Sequence, residues 1–354
     1  MPTGRCALRR EGGRSIQLSS VIAALLGCAA GVLLVVQNGV NTNLRREALG
    51  GSAFATGSVS FAVAFCTMSF VICGHSQLPG VRRDWSFRRA PLYSYLGGVI
   101  GPIYVISAVY LVELLSFATF QLCAILGQVI ASLLMDWTGF LGLQKRSPTL
   151  VRLAASLALA GGTALTIDGV GEGFDDEPWW ALTLSILAAI CAGAVLPIQA
   201  AINAVLQRHL HTPFRVVAVS MFVGALILSF ITLITVAIDD LPYVRPGQPW
   251  MWVGGLCGAF LVTSNVIGVP RIGAAAYSAI FVASQLMTAF IFDSVGAMNF
   301  DVVELSAQRV TGVCLAIVAA VVYQVQPKLS RQAPPRERDV AIEANETSQT
   351  TSSA

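Results

Sequence analysis

Among the side-chain amides within or at the ends of long apolar runs, seven are candidates for a solute site: Gln37, Asn41, Gln128, Gln199, Asn203, Asn265 and Gln285. An amide has two donor hydrogens and an acceptor oxygen, and hydrocarbon satisfies neither. It must bond to another helix or face a wet space. Gln37 and Asn41 stand four residues apart, as do Gln199 and Asn203, so each pair shares one helical face. Either pair can cap a helix end at a membrane interface or line a cavity. Gln128 and Gln285 fall in the middle of their runs, beyond reach of an interface. They can bond between helices or contact a polar solute. Asn265 is another mid-run amide, in register with Ala108.

Three acids sit at the ends of apolar runs: Glu113, Asp136 and Asp293. Each reads as a helix-end charge or as a proton-coupling carboxylate. Asp136 and Asp293 do not read as a catalytic pair. They belong on opposite faces of the membrane, Asp136 inner and Asp293 outer, separated by most of a hydrocarbon layer about 30 Å thick, and catalytic dyads share a proton at contact distance. His75, His209 and His211 all lie outside the apolar runs, which removes a Ser–His centre within the membrane. There is no HExxH pair and no GxxxxGK[ST] loop. The eight cysteines form no CxxC pair and mostly sit in apolar runs, as small hydrophobes do. No enzyme, metal, cofactor, disulfide framework or nucleic-acid partner is expected.

The segments that carry these residues are membrane helices. The 354 residues are 55% hydrophobic and 12% charged, with a mean hydropathy of +0.71; a soluble domain carries roughly 25% charged residues. Apolar windows fall at 18–37, 53–73, 93–112, 117–136, 150–167, 180–199, 214–236, 251–269, 274–293 and 308–325. Backbone groups in lipid must bond within their own segment, so each window is a helix. The first has a basic flank like a signal peptide, but its apolar run continues to Val36, which is spanning length. The fold class is an all-α membrane protein of ten transmembrane helices. Its expected parts are a basic arm at 1–17, five helices at 18–167, an acidic loop at 168–179, five helices at 180–326 and a disordered polar tail at 327–354.

Basic residues give the orientation. With the N-terminus inside, 18 of the 22 Lys and Arg residues fall on the cytoplasmic side. Both termini are then cytoplasmic, and 168–179, which has five acids and no base, lies outside. The plasma or inner membrane is favoured.

The two halves repeat in register. Gln37-x3-Asn41 matches Gln199-x3-Asn203, and Gly97-Gly98-x2-Gly101 matches Gly254-Gly255-x2-Gly258. The second spacing then holds without a gap through Gln128 and Gln285, Asp136 and Asp293, Gly139 and Gly296, to Arg152 and Arg309. Five spans is an odd number, so the halves enter the membrane in opposite senses. The result is a 5+5 inverted-topology repeat, an architecture common in secondary transporters.

The Q-x3-N of the first helix, the G-G-x2-G of the third and the G/S-Q-x7-D-x2-G of the fourth resemble the YdcZ-like family of the drug/metabolite transporter superfamily. Many of its members are single five-helix units, and this chain looks like two fused over about 18–325. The second half keeps Pro270-Arg271-Ile272-Gly273 where the first has Glu113-Leu114-Leu115-Ser116; Gly127-Gln128 fits the family pattern better than Ser284-Gln285. The resemblance implies a ten-helix transporter fold and export or exchange of a small solute. The expected partners are that solute, the lipid bilayer and a second copy of the chain in a homodimer. The other reading is a non-transporting membrane scaffold or regulator with the same fold.

Overall fold

The computed structural model describes residues 4–76, 90–142, 145, 147–167, 179–238 and 244–331. The described residues are helices joined by turns, with no strand among them. Ten helices are long and apolar enough to cross a membrane. They are α1 (Gly4–Asn43), α2 (Ala53–Ser76), α3 (Leu96–Leu115), α4 (Phe117–Thr138), α5 (Leu150–Ile167), α6 (Trp179–Leu210), α7 (Pro213–Ile238), α8 (Gly254–Ile272), α9 (Ala274–Val295) and α10 (Ala307–Arg331).

Several boundaries differ from the apolar windows. α1 begins at Gly4, so the helix takes in the described residues of the basic arm, and it runs six residues beyond Gln37 before a π-helical turn at Leu44–Ala48. α6 continues eleven residues past Gln199. A hydropathy window stops at the first amides, whereas the helix continues because tertiary contacts accommodate them. α10 absorbs residues 327–331 of the expected tail. The rest of that tail, the acidic loop up to 178 and the arginines at 82, 83, 88 and 89 lie outside the described residues.

The halves interlock. α1 packs on α8 and α9, and α6 packs in the same way on α3 and α4. α2 pairs with its counterpart α7, and α5 with α10. Ser58 and Ser229 share a hydrogen bond at 2.8 Å across the α2–α7 seam. Glycines allow the closest crossings. A Cβ on Gly127 or Gly193 would collide with backbone atoms of Ile190 or Ala124, which ties α4 to α6. Gly162 and Gly312 face one another between α5 and α10 in the same manner. Small residues at such seams are how membrane helices gain van der Waals contact.

Two junctions bear on function. α3 and α4 are separated by one residue, Ser116, and α8 and α9 by one residue, Gly273. Both adopt positive φ with extended ψ: 71° and 165° for Ser116, 83° and 150° for Gly273. That region is essentially reserved for glycine. Gly273 therefore answers a backbone requirement that Ser116 meets under strain.

Candidate functional site

The repeated amides and the repeated glycines meet crosswise. A Cβ on Gly258 would sit 3.1 Å from Nε2 of Gln37, and one on Gly254 would strike Oδ1 of Asn41. The mirror contacts pair Gly101 with Gln199, 2.5 Å from its Nε2, and Gly97 with Asn203. Each Q-x3-N thus lies on the G-G-x2-G of the opposite half. Asn41 is buried and donates to Ser60 Oγ at 3.3 Å; Gln37, Gln199 and Asn203 are half-buried. The four amides line the two diagonal seams, α1–α8 and α3–α6.

The best-formed polar constellation centres on Asp293, whose side chain is only 3% exposed. Its Oδ1 accepts the backbone N–H of Phe117 and its Oδ2 that of Ala118, each at 2.8 Å. These are the first two amides of α4, which have no partner inside their own helix. A carboxylate there also meets the positive end of the helix dipole. Arg309 Nη2 donates to Asp293 Oδ2 at 2.5 Å and to Ser116 Oγ at 3.2 Å. Charge-assisted bonds of this kind are the strong class. By sequence Asp293 is a helix-end charge among headgroups or a proton-coupling carboxylate; in the structure it forms an ion pair buried between the halves.

Asp136 is its register partner but is set differently. It accepts from Arg152 Nη1 at 2.7 Å and keeps 30% of its side chain exposed, while Arg152 also lies over the Tyr323 ring at 5.1 Å. Asp136 and Phe117, the residue that Asp293 caps, are at opposite ends of α4, about 28 Å apart at 1.5 Å rise per residue. Glu113 pairs with Arg45 and Arg46, and Arg45 also covers Tyr110 at 4.6 Å. Asn265 donates back to Leu261 O at 3.0 Å within its own helix. Gln128 is half-buried, whereas Gln285 is fully buried and neither of its amide atoms has a hydrogen-bond partner.

Three polar contributors escape a hydropathy reading. Asn38, Tyr104 and Gln121 are each at most 4% exposed, and Tyr104 Oη donates to Gln121 Oε1 at 3.5 Å. The Gln121 Nε2 is buried without a partner. These residues do not recur in the second half, so the repeat gives no signal for them. Arg309 and Ser116 were visible in register, but only the fold joins them to Asp293.

The family profile described as "Putative inner membrane exporter, YdcZ" matches the chain twice, over residues 22–165 and 184–322. The chain belongs to the YdcZ family. Its two matched segments correspond to the two five-helix units, so this YdcZ-family protein is a multi-pass integral membrane protein with the unit duplicated. One solved crystal structure superposes on it with a TM-score of 0.57 at 17% identity, covering 89% of this chain and 98% of the other, and so shares its fold. No protein of curated function matches the sequence.

The two units of this YdcZ-family chain are alike in sequence but not in exposure. On the Asp293 side, Asn38, Thr42, Val109, Val112, Leu115, Gln121 and Cys123 are all at most 4% exposed. Their register counterparts Ala200, Ala204, Val266, Val269, Ile272, Ser278 and Ile280 are all half-buried or exposed. The contrast reverses for residues at the other ends of these helices: Gln285, Asp293 and Arg309 are buried where Gln128, Asp136 and Arg152 are not. Both trends say the same thing. The helices close together on the Asp293 side and splay on the Asp136 side.

Proposed function

We propose that this protein is a secondary transporter that exports or exchanges a small polar solute by alternating access between its two inverted units. The supporting observation is the register-by-register contrast in burial. Equivalent segments of an inverted repeat are tight on one membrane face and loose on the other, and interchanging the two conformations would reverse which face is open. With both termini in the cytoplasm, the loose Asp136 side faces the cytoplasm and the Asp293 side is sealed outward.

Gln128 and Gln285 are the amides we assign to solute recognition, supported by the diagonal amides Gln37 and Gln199. Gln128 is accessible in this state. Gln285 is buried without a partner, and leaving a buried amide unpaired costs about 1–3 kcal/mol. Exchange of the two conformations would uncover Gln285 and bury Gln128, so each state presents one amide and hides the other. The solute is one that hydrogen-bonds amides. The acids at the described helix ends, Asp136, Asp293 and Glu113, are already paired with arginines, and the central amides offer no counter-charge to a cation.

A flux screen tests this. Purified protein in liposomes loaded with a metabolite mixture is assayed by mass spectrometry for solutes lost faster than from empty liposomes. At least one neutral or anionic polar solute is expected to leave, with the rate reduced at least tenfold by Gln128→Leu and by Gln285→Leu. Retention of every solute would favour the scaffold reading; flux unaffected by either leucine would remove the glutamines from the site.

A further inference from the structure

The Asp293 network joins pieces of both units. The capped amides of Phe117 and Ala118 belong to the first unit, while Asp293 and Arg309 belong to the second. Opening the Asp293 side between α4 and α9–α10 breaks the Phe117 and Ala118 bonds to Asp293 and the Arg309–Ser116 bond together, while the Arg309–Asp293 pair stays within the second unit. Charge-assisted hydrogen bonds fade steeply with distance and angle, so the three bonds between the units hold or release together.

We propose that this network is a latch that keeps the Asp293 side shut, and that Asp136 with Arg152 forms the opposite latch on the N-terminus of α9 when the protein turns over. Every required part has a counterpart in register. Asp136 matches Asp293 and Arg152 matches Arg309. Gly273 repeats the one-residue junction, with the backbone turned as at Ser116, so α9 starts with the same geometry as α4. In this state the Asp136 carboxylate is held by its arginine and remains partly exposed, whereas the Asp293 carboxylate is sealed.

The two latches are unequal. Ser116 supplies a hydroxyl to Arg309 that Gly273 cannot supply to Arg152. Arg152 instead rests over the ring of Tyr323. The Asp293 latch therefore has one more polar contact, and its arginine lacks the competing aromatic perch. This sets the resting state with the Asp293 side closed.

The proposal rests on the alternating-access reading, but its test needs no solute. Cys123 is native, fully buried on the Asp293 side and a ready reporter. Ser278→Cys, in a chain without the native cysteines, reports on the Asp136 side, where Ser278 is half-buried. Each single-cysteine protein is placed in nanodiscs, where both faces meet water, and labelled with a charged maleimide. Asp293→Asn is expected to raise the labelling rate of Cys123 at least tenfold and to lower that of the Ser278→Cys reporter several-fold. Asp136→Asn is expected to leave Cys123 protected. A change at neither position, or a rise at both as a loosened fold would give, overturns the latch. Solute flux through liposomes is measured separately, so a failed latch with intact flux leaves the transport reading standing.

Discussion

A Gln or Asn that lies on a glycine is held by shape as much as by hydrogen bonds. Gly254→Ala drives a methyl into Asn41 and should lower the melting temperature by several degrees, whereas Gly161→Ala, with nothing within 4 Å of the new methyl, should be neutral or slightly stabilising. Thermal unfolding in detergent checks both. The central glutamines should separate by sign. Gln285→Leu removes a buried amide that has no partner and should stabilise the present conformation by about 1–3 kcal/mol, while Gln128→Leu, at a half-buried position, should leave the melting temperature near that of the unaltered protein. Equal melting temperatures for the two leucine variants would show that the Gln285 amide finds a partner after all. Both motifs were visible in the sequence as repeats. That each packs on the other's opposite copy was not, because the contact depends on how the halves interlock and no local pattern encodes it. Asp293 was legible as a charge at a helix end, but not as a cap, since the two amides it caps lie more than 170 residues away in the chain.

Helix positions followed from hydropathy because spanning segments must satisfy their own backbones. Their ends did not where polar residues continue a helix that tertiary packing supports. Asn38, Asn41, Thr42 and Asn43 all fall in the last turns of α1, and all are buried. The one-residue junctions were not readable either: Ser116 gives no hint of a positive φ until it is set beside Gly273. The conformation predicts a mutational cost. Gly273→Ala adds a Cβ at φ 83° and should destabilise the protein by about 1–3 kcal/mol. Chemical denaturation or thermal melting measures it, and an unchanged stability would mean the junction relaxes out of that conformation.

At the scale of the molecule, the fold class and the duplication were legible from the sequence, because an odd number of spans per repeat forces inversion. The conformational state was not legible, since two nearly equivalent halves carry no sequence mark of which face is shut. Orientation remains open to a direct test. A reporter enzyme active only outside the cytoplasm, fused after Glu172, should be active, and the same reporter at the C-terminus should be silent; the reverse pattern would turn the open side outward. The crosswise packing also bears on how the chain is made. α1 finds its main partners in α8 and α9, so its glycine-facing amides leave the ribosome long before the surfaces that receive them. From Asn43 to Gly254 the ribosome adds about 210 residues, which at about 5–20 residues per second takes on the order of ten to forty seconds. Through that interval the first five helices sit in the bilayer as an unfinished half. They must be shielded by the insertion machinery, or by a second nascent copy, from the lipid and from wrong helices.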